Sequence, residues 1–245
     1  MEKFKNTEEL LAWIIDFFAI SFGNSAILKG GMSLRLLHSP RFTNDVDYVF
    51  IPFDSKKDVK QIIEKELEKV NNLTFTTSLN SKALRILISY GTQEAQVEIS
   101  VEKECPSIPM SSSLLSTPYG RPARIVRIME PRVSFAHKIA AWNERNLMRD
   151  LYDIYQYESL FKIKPQIDVL KIRLKKAKPF GNTTPATNMN DLINHLTDCA
   201  NSITEESFVE LLPLLNTEEL SGLSFRIKPA IFSLCETLKQ SLQNK

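Results

Sequence analysis

In Asp45 to Ile51, Leu73 to Leu79, Ala83 to Tyr90 and Ala95 to Val101 polar and apolar residues alternate, whereas from Pro131 onward the pattern changes to helical spacing over most of the chain. Alternation with period two suits a half-buried strand and a period near 3.6 suits a helix, so the switch confines the chain to a sheet-bearing domain followed by a helical one. The expected class is α+β. A mixed β-sheet flanked by helices occupies residues 1–128, and a helical bundle with helices near 131–145, 148–161, 166–177, 190–201, 204–215 and 225–242 fills 129–245. A hydrophobic share of 43% and a charged share of 24% suit such cores.

Within the first part, Asn6 and Glu9 resemble a capping box opening a helix that runs to about Phe22. Ser25 to Leu28 reads as a strand, Lys29-Gly30-Gly31 as a turn, and the following MSLRLLHS as a helix. Apolar Val59, Ile62, Ile63, Leu67 and Val70 mark one face of a helix between Ser55 and Asn72. Gly91 to Glu94 closes a hairpin, and Arg124 to Ile128 adds another strand. Residues 102–123, with five serines and four prolines, are expected to form an irregular loop able to cover a site. KPFGNTTPATNMN, residues 178–190, is expected to be a mobile connection.

Cys105, Cys199 and Cys235 are odd in number and far apart, which argues against a disulfide framework or structural zinc and for a reducing cytoplasm. No stretch approaches the ~20 apolar residues that cross a bilayer, and the N-terminal apolar run, broken by acids and without a small-residue cleavage site, is not expected to be a signal peptide. A net charge of +2 announces no global nucleic-acid field.

The chemistry is concentrated in NDVDYVF. Asp45 and Asp47, two apart on a strand, project from one face, and two carboxylates held together invite a hard divalent cation, above all magnesium. Upstream, Lys29, Gly30, Gly31 and Ser33 lie at a strand-to-helix turn whose backbone amides can receive phosphate, with the Ser33 hydroxyl as a further donor. In QVEIS, Glu98 faces away from Val97 and Ile99 and completes a possible metal triad. Two magnesium ions on such a triad would hold a nucleoside triphosphate and activate a hydroxyl for in-line displacement of pyrophosphate. Arg41 either steadies a phosphate, contacts RNA, or is merely solvated; the single loop arginine favours the last.

LKGGMSLRLL, RFTNDVDYVF, QVEIS and FAHKIAAWNERNLMRDLYDIY, in that order, resemble the nucleotidyltransferase toxins of the AbiEii/AbiGii abortive-infection type, related to the MenT toxins, in the polymerase-β-like superfamily. The likeness spans most of residues 25–160. It implies that Gly30, Gly31 and Ser33 cradle the triphosphate, that Asp45 and Asp47 bind metal, and that Lys138, Asp150 and Asp153 complete the pocket. It also implies a tRNA 3′ end as acceptor and a cognate antitoxin. The sequence departs from the family in having Glu98 where many superfamily members have Asp, and Met32 where Thr or Ser is common.

Read from the residues, Lys138 lies on an edge of the helix marked by Phe135, Ile139 and Trp142, a credible phosphate partner. Asp150 and Asp153 open the next helix, where capping and nucleotide contact are equally good reasons for acids. The groove between the two domains is the expected active site. KIRLKKAK, residues 171–178, is a solvated face or an RNA-facing one. A protein hydroxyl would serve as acceptor with the same metals, and the rivals are an inert module of the same fold and a metal-dependent hydrolase.

Overall fold

The computed structural model describes residues 4–81 and 83–243. The chain divides into two compact units, Met1–Glu130 and Pro131–Lys245. In the first unit, helix α1 (Thr7–Phe22) precedes strand β1 (Ala26–Lys29), helix α2 (Gly30–Leu36), strand β2 (Asp45–Phe50) and helix α3 (Lys56–Leu67). Strands β3 (Leu73–Leu79), β4 (Leu84–Tyr90), β5 (Gln93–Val101) and β6 (Ser107–Ser111) follow, then helix α4 (Ser113–Ser116) and strand β7 (Ile125–Met129).

The seven strands form one mixed sheet in the order β3-β4-β5-β2-β1-β7-β6. β2 runs parallel to β5 and antiparallel to β1, so the strand carrying Asp45 and Asp47 lies inside the sheet, where register is fixed from both sides. Its alternation places Val46, Tyr48 and Phe50 in the core with Val97, Ile99, Leu84 and Ile86. Onto this face α1 packs Leu10, Leu11, Ile14, Ile15 and Phe18, and α3 packs Val59, Ile63 and Leu67. Phe18 stacks on Tyr48 at 4.7 Å between ring centres, and each such buried side chain contributes roughly 1.5–3 kcal/mol. Asn6 caps α1 by accepting from the Glu9 amide at 2.9 Å.

The stretch expected to be an irregular loop over 102–123 is instead built into the unit. Ser107–Ser111 pairs antiparallel with β7 as the edge of the sheet, where Pro109 removes no ladder bond that a neighbour needs. Beyond it, Ser112 and Ser116 donate to the two oxygens of buried Asp16 at 2.8 and 2.9 Å, so an acid in α1 gathers the serines.

The second unit is helical: α5 (Pro131–Arg145), α6 (Met148–Tyr155), α7 (Ile167–Lys175), α8 (Met189–Ser202), α9 (Thr217–Leu220) and α10 (Leu223–Gln243). The helix expected over 148–161 passes into a π turn at Gln156–Leu160, and that expected over 204–215 is a 3₁₀ segment, Glu205–Leu211. Residues 178–190, expected to be a mobile connection, are fastened to α5. Asn143 exchanges two hydrogen bonds of 2.9 Å with the backbone of Ala186, and Thr183 donates to the Glu144 carbonyl at 2.6 Å. Among the described residues no helix is long and apolar enough to cross a membrane.

Candidate active site

Asp45 and Asp47 occupy alternate positions of β2, half-buried on the face opposite Val46 and Tyr48. Register extends that face sideways. Lys29 on β1 pairs with Asp47, Asp47 with Glu98 on β5, and Glu98 with Arg85 on β4. Residues in register share a face, so one row across four strands reads cation, acid, acid, cation. The end cations are already engaged. Lys29 donates to the Ser100 hydroxyl at 3.0 Å, while Arg85 reaches Glu98 Oε1 through Nε at 3.0 Å and Nη2 at 2.6 Å. Gln96 donates to the same oxygen at 3.1 Å. The Arg85–Glu98 pair is substantially exposed and is a pairing of the kind that contributes at most ~1 kcal/mol.

The turn between β1 and α2 lies directly against Asp47, and Thr43 links it to Asp45. Gly30 has φ +69°, and a methyl group added to it would stand 2.1 Å from Asp47 Oδ2. Only a residue without a side chain lets this carboxylate settle over the turn. At Gly31 the same addition would meet Thr43 Oγ1 at 2.9 Å and Arg41 Nη2 at 3.2 Å. Thr43 in turn donates to Asp45 Oδ1 at 2.6 Å. The Ser33 hydroxyl donates to the Gly30 carbonyl at 2.8 Å and the residue is only 2% exposed, so its visible task is to close the turn.

Arg41 corrects the expectation of a merely solvated loop arginine, because it is 8% exposed and its guanidinium is tucked beside Gly31. It and Thr43 were legible only as part of a spacing: Arg41, Thr43, Asp45 and Asp47 fall at every second position, so the strand's alternation begins before the strand does. Arg85 carries no local signal at all and enters through register.

Lys138, Asp150 and Asp153 come together in the helical unit. Lys138 on α5 donates to Asp153 on α6 at 2.6 Å, and Arg145 grips Asp150 with two bonds of 2.9 and 2.6 Å. Asp153 is fully buried and Asp150 nearly so. Burial pushes the Asp150 carboxyl above the usual carboxylate range, against the pull of Lys138 and Arg145. Among the described residues no three His, Cys, Asp or Glu side chains already converge as a metal site, and Glu98 is bonded to Arg85.

Residues 16–221 match the sequence model of a family described as nucleotidyl transferase AbiEii toxin, type IV toxin–antitoxin system. Among solved structures the chain is similar to MenT4, a nucleotidyltransferase toxin from Mycobacterium tuberculosis H37Rv. The identity is 14% and the TM-score 0.58, over 93% of this chain and 82% of that one. It is also similar to JHP933 from Helicobacter pylori, at 15% identity and a TM-score of 0.55, over 97% of this chain and 94% of the other. Likeness at such identities is one of fold. No curated protein matches the chain in sequence.

Proposed function

The chain belongs to the AbiEii nucleotidyl transferase toxin family, and from that premise we propose that it moves a nucleoside monophosphate from a nucleoside triphosphate to the 3′-terminal hydroxyl of a tRNA, using magnesium. Nucleotidyl transfer is the family's reaction class; the acceptor, the metal and the residues that serve them belong to the proposal. The observation that carries it is the contact of Gly30 with Asp47: a turn stripped of its side chain, with a carboxylate laid over it and a second carboxylate two residues away.

The donor set suits magnesium. Asp45 and Asp47 offer hard oxygen ligands from one strand face, and the space a Cβ would fill at Gly30 stays open for Asp47. Glu98, in register with Asp47, is the third acid, and its exchange from Arg85 to a cation gives up only a solvent-screened pair. When bound, two magnesium ions would neutralise the triphosphate and sharpen the attacking hydroxyl as a nucleophile. In the reaction the acceptor oxygen bonds to the α-phosphorus as the bond to pyrophosphate breaks. Lys29 and Arg41 add positive charge beside the glycine turn, and the backbone amides of Gly30 and Gly31 provide donors that need no side-chain ordering. Lys138, Asp150 and Asp153 enter the proposal on family resemblance alone, because their ion pairs account for them within the helical unit. A cognate antitoxin is proposed from the family description.

The test is incubation of the purified protein with magnesium, each α-labelled nucleoside triphosphate and total RNA, beside an Asp45→Ala, Asp47→Ala variant. Labelled RNA that appears only with the intact carboxylates is the expected result. Free nucleoside monophosphate without labelled RNA would mean a hydrolase, and neither transfer nor magnesium-dependent triphosphate binding would mean an inert module.

A further inference from the structure

The side chain at 43 stands between the glycine turn and the first aspartate. Thr43 is 9% exposed, donates its hydroxyl to Asp45 Oδ1 at 2.6 Å, and occupies the space beside Gly31, where a Cβ would come to 2.9 Å from Oγ1 and 3.0 Å from the Thr43 Cβ. Arg41 Nη2 borders the same space, at 3.2 Å from that Cβ position. Three facts thus concern one side chain: its burial, its short bond to a carboxylate, and the missing side chain of its neighbour.

From these we infer that Thr43 is a positioning residue that sets the orientation of the Asp45 carboxylate for a divalent cation, and that residue 31 is glycine to leave Thr43 in that place. The inference rests on the reading of Asp45 as a cation ligand. A carboxylate at the first position of a strand turns freely about its side-chain torsions unless something holds it, and a charge-assisted O–H···O bond to a buried, β-branched residue does so. With Oδ1 held, the carboxylate's other lone pairs keep a constant direction. Partners that orient metal ligands in this way commonly account for 10–100-fold in affinity or activity. Thr43 touches no substrate in this account; it acts through Asp45.

The test uses the full-length protein and Mn²⁺ as the probe, its free aqua ion counted by electron paramagnetic resonance, on wild type, Asp45→Ala, Thr43→Val and Thr43→Ser. Valine keeps the shape and loses the hydroxyl; serine keeps the hydroxyl. Circular dichroism and thermal melting accompany each variant, so that a Thr43→Val protein that fails to fold leaves the Thr43→Ser and Gly31→Ala variants to decide. The expected result is that Thr43→Val weakens Mn²⁺ binding roughly 10–100-fold, that Thr43→Ser stays close to wild type, and that Gly31→Ala, by displacing Thr43, weakens binding in the same direction. If Asp45→Ala weakens binding while Thr43→Val and Gly31→Ala leave it unchanged, or Thr43→Ser loses it, the inference is wrong and the metal reading stands. If wild type and Asp45→Ala bind alike, the metal reading itself fails and the inference falls with it.

Discussion

At the residue scale, Gly30 and Asp47 behave as one unit. Alanine at 30 would have to adopt φ +69° and place its methyl group 2.1 Å from a carboxylate oxygen. The backbone part costs about 1–3 kcal/mol, and the steric part can be relieved only by moving Asp47. Gly30→Ala is therefore expected to lower the melting temperature modestly and nucleotidyl transfer by about 100-fold or more, since an ångström of misplacement at a reacting centre has that effect. Transfer rates within a few-fold of wild type would show that Asp47 has no fixed role. The acids themselves were legible in the sequence because alternation alone puts Asp45 and Asp47 on one face. Arg85 was not, and Arg41 and Thr43 showed only as a spacing without a partner, because hydrogen bonding and close packing across a turn depend on where a second segment lies, and no local period encodes that.

At the element scale, the strands of the central sheet were readable because each carries its burial pattern along its own length, as β2 and β5 do. Elements whose partners are polar and distant were not. β6 is a short edge strand containing a proline, and α4 is gathered by Asp16 from about a hundred residues away. The segment over 178–190 has the composition of a flexible linker, yet Asn143 replaces the missing ladder partners of Ala186 with a side-chain amide. Buried Asn143 satisfies both a donor and an acceptor of the backbone there, and leaving such groups unpaired costs about 1–3 kcal/mol each. Asn143→Ala should destabilise the protein by about that much in denaturant titration and speed amide hydrogen exchange at Ala186, while Asn143→Asp, which turns an acceptor oxygen toward the Ala186 carbonyl in a buried place, should cost at least as much. Unchanged exchange at Ala186 would mean that the rest of the segment holds itself.

At the scale of the whole molecule, the sum of charges is the least informative quantity and their placement the most. With 31 basic and 29 acidic residues the chain has almost no net field, so an RNA acceptor has to be met by a local surface. α7 and the residues after it offer one: Lys175, Lys176 and Lys178 are exposed, Lys171 is half-buried, and exposed Ile172 and Phe180 lie among them. Arg173 is turned instead toward Glu144 at 3.5 Å. A single-stranded phosphate backbone met by three exposed lysines would release counterions in proportion, so its affinity would fall with the logarithm of salt at a slope of about −0.7 per contact. Replacing Lys175, Lys176 and Lys178 with Glu is therefore expected to raise the KM for RNA, to flatten the salt dependence by about two units, and to leave the KM for the triphosphate unchanged, as measured by steady-state transfer across a salt series. That split separates the two readings of the stretch. A merely solvated face would leave all three quantities where they are, and a general loss of stability would move the triphosphate KM and the melting temperature together.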